Sequence, residues 1–449
     1  MNKKDIRRGM VTVMLGLTAL YVVFMGVWMI SCKSGSGSDA GKDGMSAEEL
    51  AKLDADASFW NDSLSNAHSD VAALAGMDSI IVRFMRKNEL NGLQLAVMRN
   101  DSLLYAKGYG YADAEKGVKM QPTHIMRVAS VSKLITAVAM MKLVDAGKVS
   151  LDSRVFGKGG ILGDPELTRR VSDERIYSIT VRQLLQHSAG FTPRKGDPMF
   201  TTADMIREHN LNHVPTAEEV TGIVLGRGLG YTPGEGHKYS NFGYMVASLV
   251  IQKASGMDYW QFVRDSVLAP AGISTFYPTG NYKHEKQARE VIYYNTDDLD
   301  TIREYNNSGK IVSRRYGGCN FRGLMGAGGW AANAAGLARL VASIDLNPKE
   351  KDILSAKSVG EMTGFDPDTN RAMGWSRIYE EGKWQRTGSL SSTQAVVNLF
   401  PDGECWVMIT NTGHWTGFRF NFTLDKLIDR LRAEYSSKMP KRDLFHKKL

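Results

Sequence analysis

A chain of 449 residues with 43% hydrophobic and 23% charged side chains and only 12 prolines is globular in composition, which excludes disordered and collagen-like readings. Its three cysteines, at positions 32, 319 and 405, exclude a disulfide framework and offer no C-x-x-C metal or redox pair. The formal charge of +8 sits at the ends, with +3 in residues 1–10 and +4 in residues 438–449, so the body is nearly neutral and no nucleic-acid partner is expected.

The basic start leads into VTVMLGLTALYVVFMGVWMI, residues 11–30, which carry no charge. Twenty apolar residues in a helix span about 30 Å, the thickness of a hydrocarbon core. The run is longer than a signal-peptide core of roughly 7–15 residues. Positive charge on its amino side predicts a cytoplasmic N-terminus and an exported body. Met29-Ile30-Ser31-Cys32 resembles a bacterial lipoprotein cleavage box, with Met29 where leucine is usual. Residues 1–32 therefore read either as a retained membrane anchor or as a signal ending at a lipidated Cys32. Both readings place the protein in the cell envelope, with its body outside the cytoplasm. The Gly/Ser-rich KSGSGSDAGKDG, 33–44, makes a flexible tether, and a weakly amphipathic helix extends it to about residue 70. At the other end, 438–449 reads as a solvated basic tail.

The body begins with apolar residues at helical spacing over 71–90, ending before Asn91-Gly92. Two strands follow, 93–99 and 102–112, joined by the hairpin pair Asn100-Asp101. A helix from Ser130 to about Ala146 closes at Gly147. The stretch from about 150 to 290 is helical and loop-rich. Strands return at 371–381, 395–401 and 405–412, the last two joined by Asp402-Gly403, and a helix over 422–435 ends the body. Strands and helices do not alternate regularly, which disfavours a doubly wound parallel sheet. An antiparallel sheet flanked by helices, with a second, mostly helical lobe, fits the order.

There is no H-E-x-x-H, no P-loop and no G-x-S-x-G. Gly326-Ala-Gly328-Gly-Trp-Ala331 matches the loose dinucleotide pattern without its strand–turn–helix setting, so close backbone packing is the reading there. His209 and His213, four apart, would share a helix face but lack a third ligand, and no metal site is expected. Ser130-Val131-Ser132-Lys133 is more informative. Two fixed positions recur by chance about once in a chain this long, so the setting matters more than the match. The tetrad opens the most apolar helix of the body, where spacing i, i+3 stacks both side chains on one face. A lysine there can take a serine's proton once burial and the helix's positive end lower its pKa. Equally, Ser130 could cap the helix while Lys133 points to water.

Two further segments decide between those readings. Tyr239-Ser240-Asn241 lies between a Pro-Gly turn and an amphipathic helix closed by Gly256, whereas the other Y-x-N matches, at 293 and 305, lie in polar sequence. Arg386-Thr387-Gly388-Ser389 begins a strand near the carboxy end. With these three boxes in order, the sequence resembles the serine β-lactamase and penicillin-binding protein superfamily. The likeness is strongest to its class C β-lactamase-like branch of D-alanyl-D-alanine carboxypeptidases, esterases and peptidases. It covers roughly residues 75–435, with LLQHSAGF (184–191) and GAGGWAANAAGLARL (326–340) as supporting context. By that resemblance the fold is α+β, the domain runs over 71–437, and the active site lies in the cleft between sheet and helical lobe.

The same resemblance implies that Ser130 attacks an acyl carbonyl while Lys133 and Tyr239 share the proton work. Asn241 would bind the substrate amide, and Arg386 and Thr387 a substrate carboxylate. Gly388 would let the strand approach, and the amides of Ser130 and Ser389 would form an oxyanion hole. Arg386 replaces the usual lysine or histidine, which keeps the charge but removes a transferable proton. His187, in the supporting segment, is expected to pack rather than catalyse. The chemistry needs no cofactor. The substrate is a small molecule or peptide with an acyl carbonyl: a β-lactam, a stem peptide, a D-amino-acid peptide or an ester. Two other readings are a catalytically silent binder of cell-wall fragments and a membrane-held scaffold.

Overall fold

The computed structural model describes residues 64–446, except 195, 298–299 and 365–370. The apolar segment, Cys32 and most of the tether therefore lie outside the described residues. Among the described residues, no helix is long and apolar enough to cross a membrane.

Seven antiparallel strands form the central sheet: β1 (Gly92–Arg99), β2 (Ser102–Asp113), β3 (Val118–Lys119), β4 (Arg377–Ile378), β5 (Trp384–Leu390), β6 (Thr393–Leu399) and β7 (Glu404–Thr410). Their spatial order is β4-β5-β6-β7-β1-β2-β3. The first and last parts of the chain thus meet in the middle, where Leu93 pairs with Thr410 and Arg99 with Glu404. Asn100 and Asp101 both take positive φ, 44° and 58°, as a tight two-residue hairpin turn requires. Asn and Asp enter that region more readily than other side chains.

Both faces of the sheet are covered. Leu95, Val97, Trp406 and Met408 face an outer layer made by α1 (Ala75–Lys87) and α5 (Phe420–Tyr435). The alternate residues Ala96, Met98, Cys405, Val407 and Ile409 face an inner layer. There α4 (Ala334–Ala342) lies on β1 and β7, and α2 (Ser132–Asp145) runs into the interior. All residues of α2 from Ser132 to Met141 are buried. A helix apolar on every side is stable only when surrounded. α3 (Asn241–Ser255) packs on α2 and on the short helices Val181–Leu185 and Ala217–Leu225, building the helical lobe.

A three-stranded sheet of Met126–Arg127, Trp330–Ala332 and Tyr277–Pro278 leads into Ser130. Arg127 is buried, stacks 3.8 Å over the Phe321 ring and 4.3 Å over the Tyr293 ring, and donates to Thr279 Oγ1 and to the Gly280 and Arg315 carbonyls. The 276–325 loops are thereby tied to the strand that feeds the site.

Four local expectations change. The folded body extends past 71 and 437 at both ends. Asn66 donates to the Gly108 and Met120 carbonyls, and the Leu444 amide donates to the Leu103 carbonyl. Leu444 and Phe445 are buried, because two apolar residues within the basic tail find an apolar seat, so 438–446 is not a solvated end. Of the strand expected over 371–381, only Arg377–Ile378 pairs. His213 lies in a loop against Glu219 and His209 follows the end of helix Thr202–Glu208, so they share no helix face. Finally, α2 begins at Ser132, two residues later than expected.

Candidate active site

That late start shapes the site. Ala129–Val131 forms a 3₁₀ turn ahead of α2, and Ala129 holds φ at 49°, a conformation costly for alanine by about 1–2 kcal/mol. The turn is braced on both sides: the Val128 amide donates to the Trp330 carbonyl, and the Trp330 amide to Ser132 Oγ. Ser130 stands half-exposed on this turn, while Ser132 and Lys133 are buried behind it.

Lys133 reaches back to Ser130. Its Nζ lies 2.7 Å from Asn241 Oδ1, 2.6 Å from the Ala327 carbonyl and 3.4 Å from Ser130 Oγ. A neutral amine has two N–H bonds and one lone pair. Two acceptors take the two hydrogens, so the lone pair is left for the serine hydroxyl. Burial favours that neutral form and is the main cause of a pKa lowered to about 8; Tyr239 opposes it and the charge of Arg386 reinforces it.

Tyr239 stands on the other side of the serine, its hydroxyl donating to Ser130 Oγ at 2.6 Å. Burial would raise its pKa, but the nearby charges of Lys133 and Arg386 outweigh that and hold it below the ordinary tyrosine value. Its ring packs 4.6 Å from that of His187. His187 accepts the Ser240 amide on Nδ1, and burial followed by the Lys133 and Arg386 charges keeps its pKa well below the usual range. That ring is a neutral support for the tyrosine. Ser240 caps α3 by accepting the Gly243 amide, which fixes Tyr239 and Asn241 on either side of the cap.

The opposite wall is β5. A Cβ at Gly388 would fall 2.3 Å from the Val128 carbonyl oxygen and 3.1 Å from the Ser130 and Val131 amide nitrogens, so only glycine lets the strand lie against the turn. The Ser376 amide donates to the Gln385 carbonyl, and the Thr387 amide to Ser376 Oγ. Odd-numbered residues of β5 therefore turn their main-chain groups to this edge, and Ser389 does so beyond the end of β4. Arg386 is only 1% exposed and donates from Nε to the Ser130 carbonyl at 2.7 Å, while its Nη2 has no hydrogen-bond partner among the described residues. It stands here as a fixed positive charge beneath Ser130 rather than as an exposed hook.

Ser130, Lys133, Tyr239, Asn241, Arg386 and Gly388 thus meet around the Ser130 turn, while Thr387 bonds to Ser376 and Ser389 follows along β5. Sequence reasoning missed two contributors: the Ala327 carbonyl, which lies in a segment cited only as context, and Asp197, whose Oδ2 accepts Asn241 Nδ2–H at 2.7 Å. A backbone acceptor leaves no residue-type signal, and Asp197 sits in a loop without periodicity. Next to Tyr239 and Asn241 a pocket opens, lined further by Phe191, Asp197, Val224, Arg227 and Phe242. No group of three metal-ligating side chains arises among the described residues.

Comparison with known proteins bears on the family and the fold. The beta-lactamase family description matches residues 77–429, and the chain belongs to that family. Protein flp of Staphylococcus aureus strain MW2 is 29% identical over 213 residues, 47% of this chain and 40% of that protein. Penicillin-binding protein 4* of Bacillus subtilis strain 168 is 27% identical over 190 residues, 42% of this chain and 38% of that one. The chain therefore spans about two-fifths of the length of these curated relatives. Among solved structures, the D-amino acid amidase of Ochrobactrum anthropi SV3 complexed with D-phenylalanine superposes with a TM-score of 0.60 at 21% identity, covering 81% of this chain and 98% of that one. The octameric penicillin-binding protein homologue of Pyrococcus abyssi gives 0.57 at 22% identity, covering 75% and 73%. These likenesses establish the β-lactamase-like fold.

Proposed function

We propose that the protein is a serine hydrolase, tethered to a membrane and acting outside the cytoplasm, that cleaves an amide or ester through an acyl-enzyme on Ser130. The observation that carries this reading is the convergence on one oxygen: Ser130 Oγ lies 2.6 Å from the Tyr239 hydroxyl and 3.4 Å from Lys133 Nζ. Lys133, with its pKa near 8, is a base matched to the task. As Oγ bonds to the acyl carbon, its proton passes to Lys133, and the negative oxygen that develops is received by the Ser130 and Ser389 amides. The C–N or C–O bond then breaks, and the leaving group takes a proton by way of Tyr239. Water attacks the acyl carbon, releases a carboxylic acid and restores the serine hydroxyl. A penicillin-binding protein among the relatives and a D-amino acid amidase among the structural neighbours favour β-lactams and amides of D-amino acids as first substrates to try. The tether rests on the uncharged run 11–30 and on Cys32.

A charged fluorophosphonate, unable to cross membranes, tests both parts on spheroplasts. The full chain is expected to label there, and Ser130→Ala to abolish labelling while Tm stays within a few degrees. Undiminished labelling of Ser130→Ala overturns the nucleophile; labelling only after lysis overturns the location alone.

A further inference from the structure

Asp197 reaches the site from a loop that carries no motif. One carboxylate oxygen, Oδ1, accepts the Met199 amide at 3.0 Å and caps the short turn Pro198–Phe200. The other accepts Asn241 Nδ2–H at 2.7 Å, and Asn241 Oδ1 in turn accepts from Lys133 Nζ at 2.7 Å. A primary amide has nearly the same shape after a half-turn, which exchanges its acceptor for its donors. Facing an ammonium, a flipped Asn241 would set donor against donor. Facing the neutral amine, it would donate to the lone pair that Ser130 needs. A carboxylate only accepts, so it holds the NH₂ group on its own side.

We infer that Asp197 is the positioning residue of the catalytic base: through Asn241 it turns the amide oxygen toward Lys133 and leaves the amine's lone pair to Ser130. This rests on the hydrolase reading above. The arrangement also commits one of the two Asn241 N–H bonds to Asp197, so a substrate amide meets at most the other. Asp197 further supplies a negative charge to the ammonium form of Lys133, which otherwise faces Arg386, the neutral His187 ring, Tyr239 and Tyr244.

The test is the second-order rate of fluorophosphonate labelling of the full chain, followed from neutral to alkaline pH. Asp197→Ala frees the amide and is expected to slow labelling about ten-fold or more. Asp197→Asn, which can keep an acceptor toward Asn241, is expected to lose less. It should also move the acid limb of the profile to lower pH, because the charge that favours the ammonium is gone. If Asp197 merely caps the Pro198–Phe200 turn, both variants lower Tm but keep the wild-type rate per folded molecule and the wild-type limb, which overturns the inference. Should Asp197→Ala fail to fold, the limb of Asp197→Asn decides. Ser130→Ala runs alongside: if it still labels, the hydrolase reading fails; if it is dead while both Asp197 variants match wild type, only the Asp197 inference fails.

Discussion

On the outer face of the sheet, Leu95, Val97, Trp406 and Met408 pack against Leu424, Ile428 and Leu431 of α5, and several polar groups there pair with one another. The Tyr105 and Tyr109 hydroxyls both donate to Asp78, and Glu404 accepts from Trp406, Arg432 and Arg99. On the inner face the apolar packing is as dense, yet Arg386 keeps a buried nitrogen without a partner and Lys133 lies buried with its charge disfavoured. Ala129 and Met325 hold positive φ without being glycine. Each layer holds a buried polar atom without a partner, Asn421 Oδ1 on α5 and Arg386 Nη2 on β5, but only in the inner layer does it lie beside one hydroxyl together with a desolvated amine and the positive φ of Ala129. Native structures tolerate such defects where function requires them. The difference shows that neither burial nor a single unmet polar atom marks a site; what marks it is several such departures gathered around one hydroxyl.

The sharpest way to break that contrast is Gly388→Ala. The added methyl meets main chain at 2.3 Å, so strand and turn must part. Turnover is expected to fall by about a hundred-fold, since small misplacements of reacting groups have effects of that size. Initial rates against urea melts check it; an active variant would show that the two walls need not touch. Leu424→Ala makes the reverse change, opening a cavity at a fully buried outer position. Stability should drop by about 2–5 kcal/mol while kcat of the folded fraction holds, as read from chemical denaturation with parallel assays. A kcat that fell with stability would mean the layers are coupled.

The smallest effect concerns Asp101, in the β1–β2 turn. Burial, with the Asp345 carboxyl beside it, raises its pKa from 3.8 to about 8. Between those values the folded chain holds a proton that the unfolded chain has released, so stability falls as pH rises across that window. Asp101→Asn keeps an acceptor for the Glu350 amide and removes the titration. Its Tm should exceed that of wild type at pH 8, by a margin that shrinks toward pH 4, with unchanged kcat. Thermal melts at the two pH values measure it, and an equal Tm difference at both would refute the linkage.

Much of this was legible in the chain itself. Asn100-Asp101 announced its hairpin because a two-residue turn selects residues that tolerate positive φ, and Asp402-Gly403 because the longer loop before β7 needs Gly403 at φ 79°. Ser130, Lys133, Tyr239 and Gly388 were legible because their spacing and neighbours are local. The short pairing of Arg377–Ile378 was not, since whether an apolar run pairs depends on the neighbouring strand. Nor was the seat of Leu444 and Phe445, which exists only once β2 is in place.

By itself, then, the sequence determined most secondary elements and the candidate site residues, because periodicity, turn preference and motif spacing act over a few residues. Only the tertiary structure decided how those side chains behave. The Lys133 amine owes its partners to Asn241 and Ala327, 108 and 194 residues away, and Arg386 reaches Ser130 across 256. Desolvation and charge proximity have no meaning until distant segments meet, and they set the proton affinity of Lys133.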